Sequence, residues 1–461
     1  MHLAGLSLRL WWRCVVAAWC AVLSAPSLGA ATATVVTVSG RQILVNGQPL
    51  IVRGVCYQPT PIGENASQAP PWGDYCSFAW GGIYVRDLAN LRRMGANVVR
   101  VYSWDHTASH TDFLNKAYNG GRDPIYVLLN RWIDPASDWS NPSVVEALKN
   151  DYRALAANVG NHPAVLGFII GNELNRANGA NTNFWNAMNS IAASLKAAAP
   201  DRLVTTSTAE GINEIAQVNG RMTSLDAWCV QSYRGGSFGN LFSSYQSAST
   251  KPLLVTEFGV DAFDNRTGQL FANNGLAVAD AVQNLWREIR TNQAIASGGC
   301  VFSYSDEWWK ATGLANAHDA GGHANGLFPD GFSNEEWYGI FGVQDNGANP
   351  DLLQPRALFS SLETQWATPL VSVSPSASSG RLRSVFRRRA DRDDLRYELE
   401  ASTDGRTWTV IARSDRGGVT QNVAGGALSI AETPAGTERI ATIVNAAATT
   451  PCFNRLKVTR Y

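Results

Sequence analysis

"HPAVLGFIIGNELN", residues 162–175, is the stretch on which the fold turns. Its apolar run begins at Val165, after His162-Pro163, and breaks at Gly171. That length and composition suit a buried strand. The run then closes on an amide and a carboxylate, Asn172-Glu173. Similar short β-rich runs lie on either side, at 51–57, 97–103 and 124–130 before it, and at 202–208, 227–233, 252–258 and 300–304 after it. Amphipathic stretches at 85–94, 143–159, 183–199 and 275–289 lie between several of them, and Gly or Pro follows most, as at helix ends. Eight alternating units over roughly 310 residues predict an α/β chain folded as a (β/α)8 TIM barrel. A doubly wound sheet would carry a Gly-rich phosphate loop after its first strand, and this chain has none there.

The flanks read differently. Arg9 and Arg13 precede an apolar run at 14–23, and small residues follow at 25–33, the pattern of a signal peptide over 1–31. The run is too short to span a bilayer, and no later segment is apolar enough, so the expected protein is secreted or periplasmic with no integral membrane span. Around Asn46-Gly47 the chain alternates apolar and polar residues, an N-terminal β-hairpin. The barrel is expected over 32–366, a linker over 367–380, and a small C-terminal β-sandwich over 381–461, where "LRYELEAS", "WTVIAR" and "RIATIV" alternate with period two. Within it Arg387-Arg388-Arg389 reads as a solvated strand edge, with an anionic surface contact as the alternative.

Composition narrows the partner. Lys and Arg total 38 against 38 Asp and Glu, so no net field draws nucleic acid or an anionic membrane. Sixteen tryptophans are many, and aromatic faces beside polar groups suit neutral sugar rings. A polysaccharide or oligosaccharide is the expected partner, and the chain is expected to act as a monomer. Five of the seven cysteines remain after cleavage: Cys56, Cys76, Cys229, Cys300 and Cys452. An oxidising compartment permits a disulfide, and Cys56 with Cys76 would tie a long loop.

In a (β/α)8 barrel the chemistry gathers at the C-terminal ends of the strands. Glu173 ends the fourth run and Glu257 ends the seventh, "KPLLVTEFG". They stand 257 − 173 = 84 residues apart, three βα units, which puts them across the mouth from one another. Either alone could be an ion-pair partner. Together they match a carboxylate pair, which in retaining glycoside cleavage converges to about 5–5.5 Å.

This constellation resembles glycoside hydrolase clan A, in which Asn-Glu ends strand four and a second Glu ends strand seven. The resemblance implies that Glu173 is the acid/base and Glu257 the nucleophile, with Arg100 and Tyr233 stabilising the charged Glu257. "VRGVCYQP" (52–59), "LRRMGANVVRVYS" (91–103), "HPAVLGFIIGNE" (162–173) and "LLVTEFG" (253–259) are similar to family 72, the β-1,3-glucanosyltransferases. That similarity implies Gln58, Tyr102 and Asn172 as sugar ligands and a bridge between Cys56 and Cys76. Departures are Thr256 before the nucleophile, where the family has Ser, and the tryptophan pair in "CVFSYSDEWWK" (300–310), where Glu307 corresponds to a family acid. The function implied is a secreted retaining β-glycoside hydrolase or transglycosylase on β-1,3-glucan, without cofactor or metal. An exo-acting β-mannosidase, β-galactosidase or β-glucuronidase type, and a non-catalytic sugar-binding barrel, stay open at this point.

Other residues carry weaker signals. Tyr304, Trp308 and Trp309 follow strand eight and are expected to include a floor for the sugar ring. Trp337 and Tyr338 could line an outer subsite. His106 and His110 are four apart but read as a loop or cap, and "HDAGGH" (318–323) likewise. "GGSFG" (235–239) fits a serine-hydrolase elbow around Ser237, but glycines are natural in that loop. Asn65 and Asn265 begin glycosylation sequons.

Overall fold

The computed structural model describes residues 33–310, 313–347, 349–367, 374–378, 381–390, 392, 394–435, 438–446 and 453–460. The signal peptide read at 1–31 and Cys452 lie outside these. Eight strands form: β1 (Val52–Cys56), β2 (Val98–Arg100), β3 (Tyr126–Arg131), β4 (Val165–Asn172), β5 (Leu203–Ala209), β6 (Ala227–Gln231), β7 (Leu253–Phe258) and β8 (Ala296–Val301). They close into one parallel barrel, each strand beside its neighbours in sequence and β8 beside β1. Strands covered on both faces must be apolar throughout, which is why they read as continuous runs.

Between them stand α1 (Gly81–Met94), α2 (Thr111–Tyr118), α3 (Pro142–Val159), α4 (Asn175–Asn178), α5 (Thr182–Ala198), α6 (Ile212–Val218), α7 (Leu241–Ala248) and α8 (Ala272–Thr291). The long helices are those expected. α2, α6 and α7 were not read from the sequence, because eight residues or fewer hold barely two turns of the helical period. The eighth strand starts four residues earlier than expected and stops at Val301. After β8, α9 (Ala357–Trp366) packs Leu358, Phe359, Leu362 and Trp366 into the barrel's outer core.

An N-terminal hairpin forms, but its first turn lies at Gly40-Arg41, ahead of the expected Asn46-Gly47, with Val36–Ser39 paired to Gln42–Val45. Asn46 and Gly47, at φ 50 and 77, turn the chain into a short third strand. The hairpin closes the barrel's N-terminal end. Val36 N donates to Asp201 O just before β5, and Ser297 Oγ at the start of β8 donates to Arg41 O. The opposite end stays open.

The C-terminal region is a sandwich of two four-stranded antiparallel sheets. Its strands are β9 (Ser374–Ser378), β10 (Arg381–Arg389), β11 (Leu395–Ser402), β12 (Thr409–Asp415), β13 (Gln421–Asn422), β14 (Ala427–Ala435), β15 (Glu438–Asn445) and β16 (Phe453–Arg460). The sheet orders are β9-β10-β15-β14 and β13-β12-β11-β16. Phe386, Leu395, Tyr397, Leu399, Ile411 and Ile443 fill a core separate from that of the barrel. Two expectations change here. Ser374–Ser378 is a strand rather than linker, since it finds pairing partners along β10. The arginine run is not a solvated edge. β10 lies inside its sheet, and Arg388 is buried with both guanidinium arms on Glu432 at 2.7 and 2.8 Å.

Candidate active site

The polar end of β4 is set by a break in its ladder. Register with β5 shifts between Ile170 and Asn172, where Gly171 takes φ 67. Glycine reaches that conformation without a Cβ penalty. Glu173 follows at φ 52, its N–H on the Ser207 carbonyl at 2.9 Å. The shift and the left-handed step send Asn172 and Glu173 into the open mouth.

Glu257, near the end of β7, lies across that mouth. Its Oε1 accepts from Arg100 Nη1 (2.6 Å), Tyr102 OH (2.6 Å) and Gln231 Nε2 (2.8 Å), and its Oε2 from Tyr233 OH (2.8 Å). Four donors thus hold one buried carboxylate in a fixed orientation. Burial holds both phenols well above their ordinary value of 10, so they stay protonated donors. Arg100 is wholly buried under the site and also donates to Asn172 Oδ1 and to Thr256 O (3.1 Å). Gln231 Nε2 reaches Asn172 Oδ1 as well (2.6 Å). One guanidinium and one amide therefore fix the nucleophile candidate and Asn172 together.

Glu173 has a different environment. Its side chain keeps 21% exposure and receives Arg176 Nε (2.8 Å) and Nη2 (3.3 Å) from α4. Burial, then the Glu257 charge, raises its pKa, while Arg176 and Arg100 oppose the rise. One carboxyl is thus surrounded by donors, and the other is pushed toward holding a proton. A carboxyl inclined to keep its proton beside one held by four donors suits acid/base plus nucleophile chemistry.

Both glutamates line one cleft of about 1430 Å³, with Gln58, Tyr102, Asn172, Tyr233 and Trp309 among its walls. The expected residues Tyr304 and Trp308 are not there. Because β8 ends at Val301, Phe302 faces the cleft, and Tyr304 packs outward at 1% exposure, its OH on Asp87 Oδ1 (2.9 Å). Trp308 stacks on His318 at 4.6 Å, and His318 in turn on Trp337 at 3.4 Å. Tyr338 does line the cleft, whereas Trp337 is taken up by that stack.

The Cys56 and Cys76 bridge is absent: both are free, buried thiols. Successive strand residues point to opposite faces. Cys56 Sγ turns into the barrel, 3.2 Å from the Thr256 carbonyl. Cys76 lies on the other side of β1, close enough to Tyr57 and Asp87 to couple electrostatically with both. His110 is buried against Asp74 at 2.8 Å, His106 meets Arg131, and no group able to hold a metal occurs among the described residues. Ser237 is exposed and accepts only the N–H of Gly239, a turn contact.

Several cleft residues were not read from sequence. Gln231, which ends β6 and donates to Glu257, could have been, since it stands two residues before Tyr233 in the run 227–233. Lys310, a cleft residue, is held by buried Glu307 (2.9 Å). Trp72 and Trp132 come from loops, Arg131 from the last position of β3, Arg176 from the four-residue α4 and Glu335 from a short helical turn, and segments so short give no periodic signal.

Residues 26–199 match the glucanosyltransferase family, glycoside hydrolase family 72. That span holds Gln58, Arg100, Tyr102, Asn172 and Glu173, and stops short of Tyr233 and Glu257. The 1,3-beta-glucanosyltransferase gel1 of Aspergillus fumigatus is 33% identical over 110 residues, 24% of this chain and 22% of that protein. The 1,3-beta-glucanosyltransferase gas5 of Schizosaccharomyces pombe is 32% identical over 143 residues, 29% of this chain and 25% of that one. The chain therefore spans about a quarter of the length of these curated relatives. Among solved structures, the β-glucuronidase of Lactobacillus rhamnosus superposes with a TM-score of 0.50 at 18% identity, covering 72% of this chain and 52% of that one, a likeness of fold. The chain is thus similar to the family 72 glucanosyltransferases over residues 26–199, on a barrel like that of the β-glucuronidase.

Proposed function

We propose that this protein is a retaining β-glycoside hydrolase or transglycosylase whose substrate is a β-1,3-glucan. The observation that carries the reading is the meeting of Glu173 and Glu257 in one cleft, with Glu257 gripped by Arg100, Tyr102, Gln231 and Tyr233. The β-1,3-glucan assignment leans on the resemblance over residues 26–199. In the first step a Glu257 oxygen attacks the anomeric carbon and the glycosidic C–O bond breaks. Glu173 gives its proton to the departing oxygen. Oε2 is the freer attacking atom, with one donor against three on Oε1. In the second step water or an acceptor hydroxyl gives its proton to Glu173, its oxygen attacks the same carbon, and Glu257 leaves as a carboxylate. Asn172, anchored by Arg100 and Gln231, is positioned to bond the ring hydroxyl next to the reacting carbon. The apolar leader in residues 1–31 supports export of the protein.

Mass spectrometry of products from a panel of β-glucans, mannans and galactans tests the reading. Products both shorter and longer than a laminari-oligosaccharide substrate mean transfer, and shorter ones alone mean hydrolysis. Glu257→Gln should abolish turnover. Glu173→Gln should lower it about 10²–10⁴-fold on sugar leaving groups. No product across the panel, or wild-type turnover by Glu257→Gln, refutes the proposal.

A further inference from the structure

The chain has sixteen tryptophans, and among the described residues only Trp72 and Trp132 are left exposed, at 54% and 67%. Both line the cleft that holds Glu173 and Glu257. Single exposed apolar residues need no explanation, but two free indole faces on the walls of one cleft do.

The loop carrying Trp72 is built to hold it there. Trp72 adopts φ 55, a left-handed conformation that costs a bulky residue about 1–3 kcal/mol and persists only where the surroundings enforce it. The surroundings are specific. Asp74 accepts from His110 Nε2 (2.8 Å), from Asp105 N (2.8 Å) and from Cys76 N (3.3 Å). Gly73, at φ 83, packs so closely on Gln58 that a Cβ would lie 2.0 Å from its Nε2. The loop tip is therefore seated on a cleft-lining amide. Trp132 follows the last residue of β3, Arg131, which pairs with Asp151 at 3.0 Å and meets His106 at 3.3 Å. Each indole thus projects from an anchored backbone.

Charge on the walls points to the ligand class. The cations of the cleft already have carboxylate partners: Arg131 with Asp151, Arg176 with Glu173, and Lys310 with Glu307. None asks for an anionic ligand. Flat apolar faces beside hydroxyl-binding groups suit the C–H faces of neutral pyranose rings.

We propose that Trp72 and Trp132 are stacking platforms for sugars beyond the cleaved linkage, so that the cleft takes a neutral pyranose chain longer than a disaccharide. This rests on the function proposed above. The test uses the full-length Glu257→Gln protein, titrated by calorimetry with β-linked gluco-oligosaccharides from disaccharide to octasaccharide. Affinity should rise with length. Trp72→Ala and Trp132→Ala should each weaken the longest ligands about tenfold, with a smaller effect on the disaccharide, and Phe at either position should restore most of the loss. Thermal melts of the variants check folding, and KM on long chains in the Glu257 background gives a second reading of the same effect. Length-independent affinity, or unchanged affinity and KM in both alanine variants, overturns the platforms. A wild-type chain that cleaves the long substrates while both alanine variants match it sinks only this inference. A wild-type chain that neither binds nor cleaves any of them sinks the parent reading.

Discussion

Arg100 has no contact with solvent, and its guanidinium is divided between Glu257, Asn172 and the Thr256 carbonyl. Arg100→Met would keep much of the volume but leave Glu257 without its cation. Breaking a buried pair by removing one partner destabilises by about 3–5 kcal/mol. Chemical denaturation should show that loss, and activity should fall with it. A change under about 1 kcal/mol would mean that the phenols and Gln231 satisfy Glu257 unaided. Arg176 acts on the other carboxyl. The charged groups that bear on Glu173 are Glu257, Arg176 and Arg100, and Glu335 bears on Arg176. In the proposed mechanism the first step needs Glu173 protonated, so kcat/KM should fall as pH rises through its raised pKa. Arg176→Met removes an opposing cation and should move that alkaline limb to higher pH. An unmoved limb in the pH–rate profile would count against Glu173 as the acid.

At the scale of elements, the segments over the barrel mouth hold two acids that burial has displaced. Asp261, after β7, is 1% exposed and raised from 3.8 to about 7 by burial. Glu336, in the turn Glu335–Trp337, is fully buried and raised from 4.5 to about 7, again by burial. Between the ordinary values and about 7 the folded chain holds protons that the unfolded chain has released. Folding stability therefore falls as pH rises through this window, and the contribution is fully present only below it. Asp261→Asn keeps the neutral form and an acceptor for the Phe263 N–H, at 3.2 Å in the native chain. Melting temperature against pH should be flatter for this variant than for the native protein between pH 4 and 7; equal slopes would refute it. Strands and long helices were legible because both faces of a barrel strand, and one face of a helix, are apolar over many residues. The end of β8 was not, since "VFSY" carries the apolar pattern past Val301 while the hydrogen bonds stop there.

For the whole molecule, two cores decide what can be removed. Among the described residues the sandwich core shares no buried residue with the barrel core, and Arg392 joins the two regions through the Thr364 and Ala367 carbonyls at 3.2 Å each. A chain ending at residue 370 should keep a cooperative melt and its turnover of small aryl glycosides. One ending at residue 356 should not fold. It loses Leu358, Phe359, Leu362 and Trp366, each worth about 2–5 kcal/mol, against a whole-domain stability of about 5–15 kcal/mol. Circular dichroism melts of the two chains separate these outcomes, and a stable chain ending at 356 would show α9 to be dispensable.

By itself the sequence determined the barrel, and it marked Glu173 and Glu257 as carboxyls at strand ends, which line one cleft. Local periodicity records burial, and a polar residue closing an apolar run marks a strand end at the open mouth. Only the tertiary structure decided who meets whom. Arg100 reaches Glu257 across 157 positions, and Gln231 reaches Asn172 across 59. Cys56 closes β1 and Cys76 follows in the next loop, yet their thiols lie apart, Tyr304 turns out of the cleft while Phe302 turns in, and Trp72 and Trp132 keep bare faces. Each of these depends on the direction a side chain takes once the barrel has closed, and closure is a relation between distant segments that no local pattern encodes.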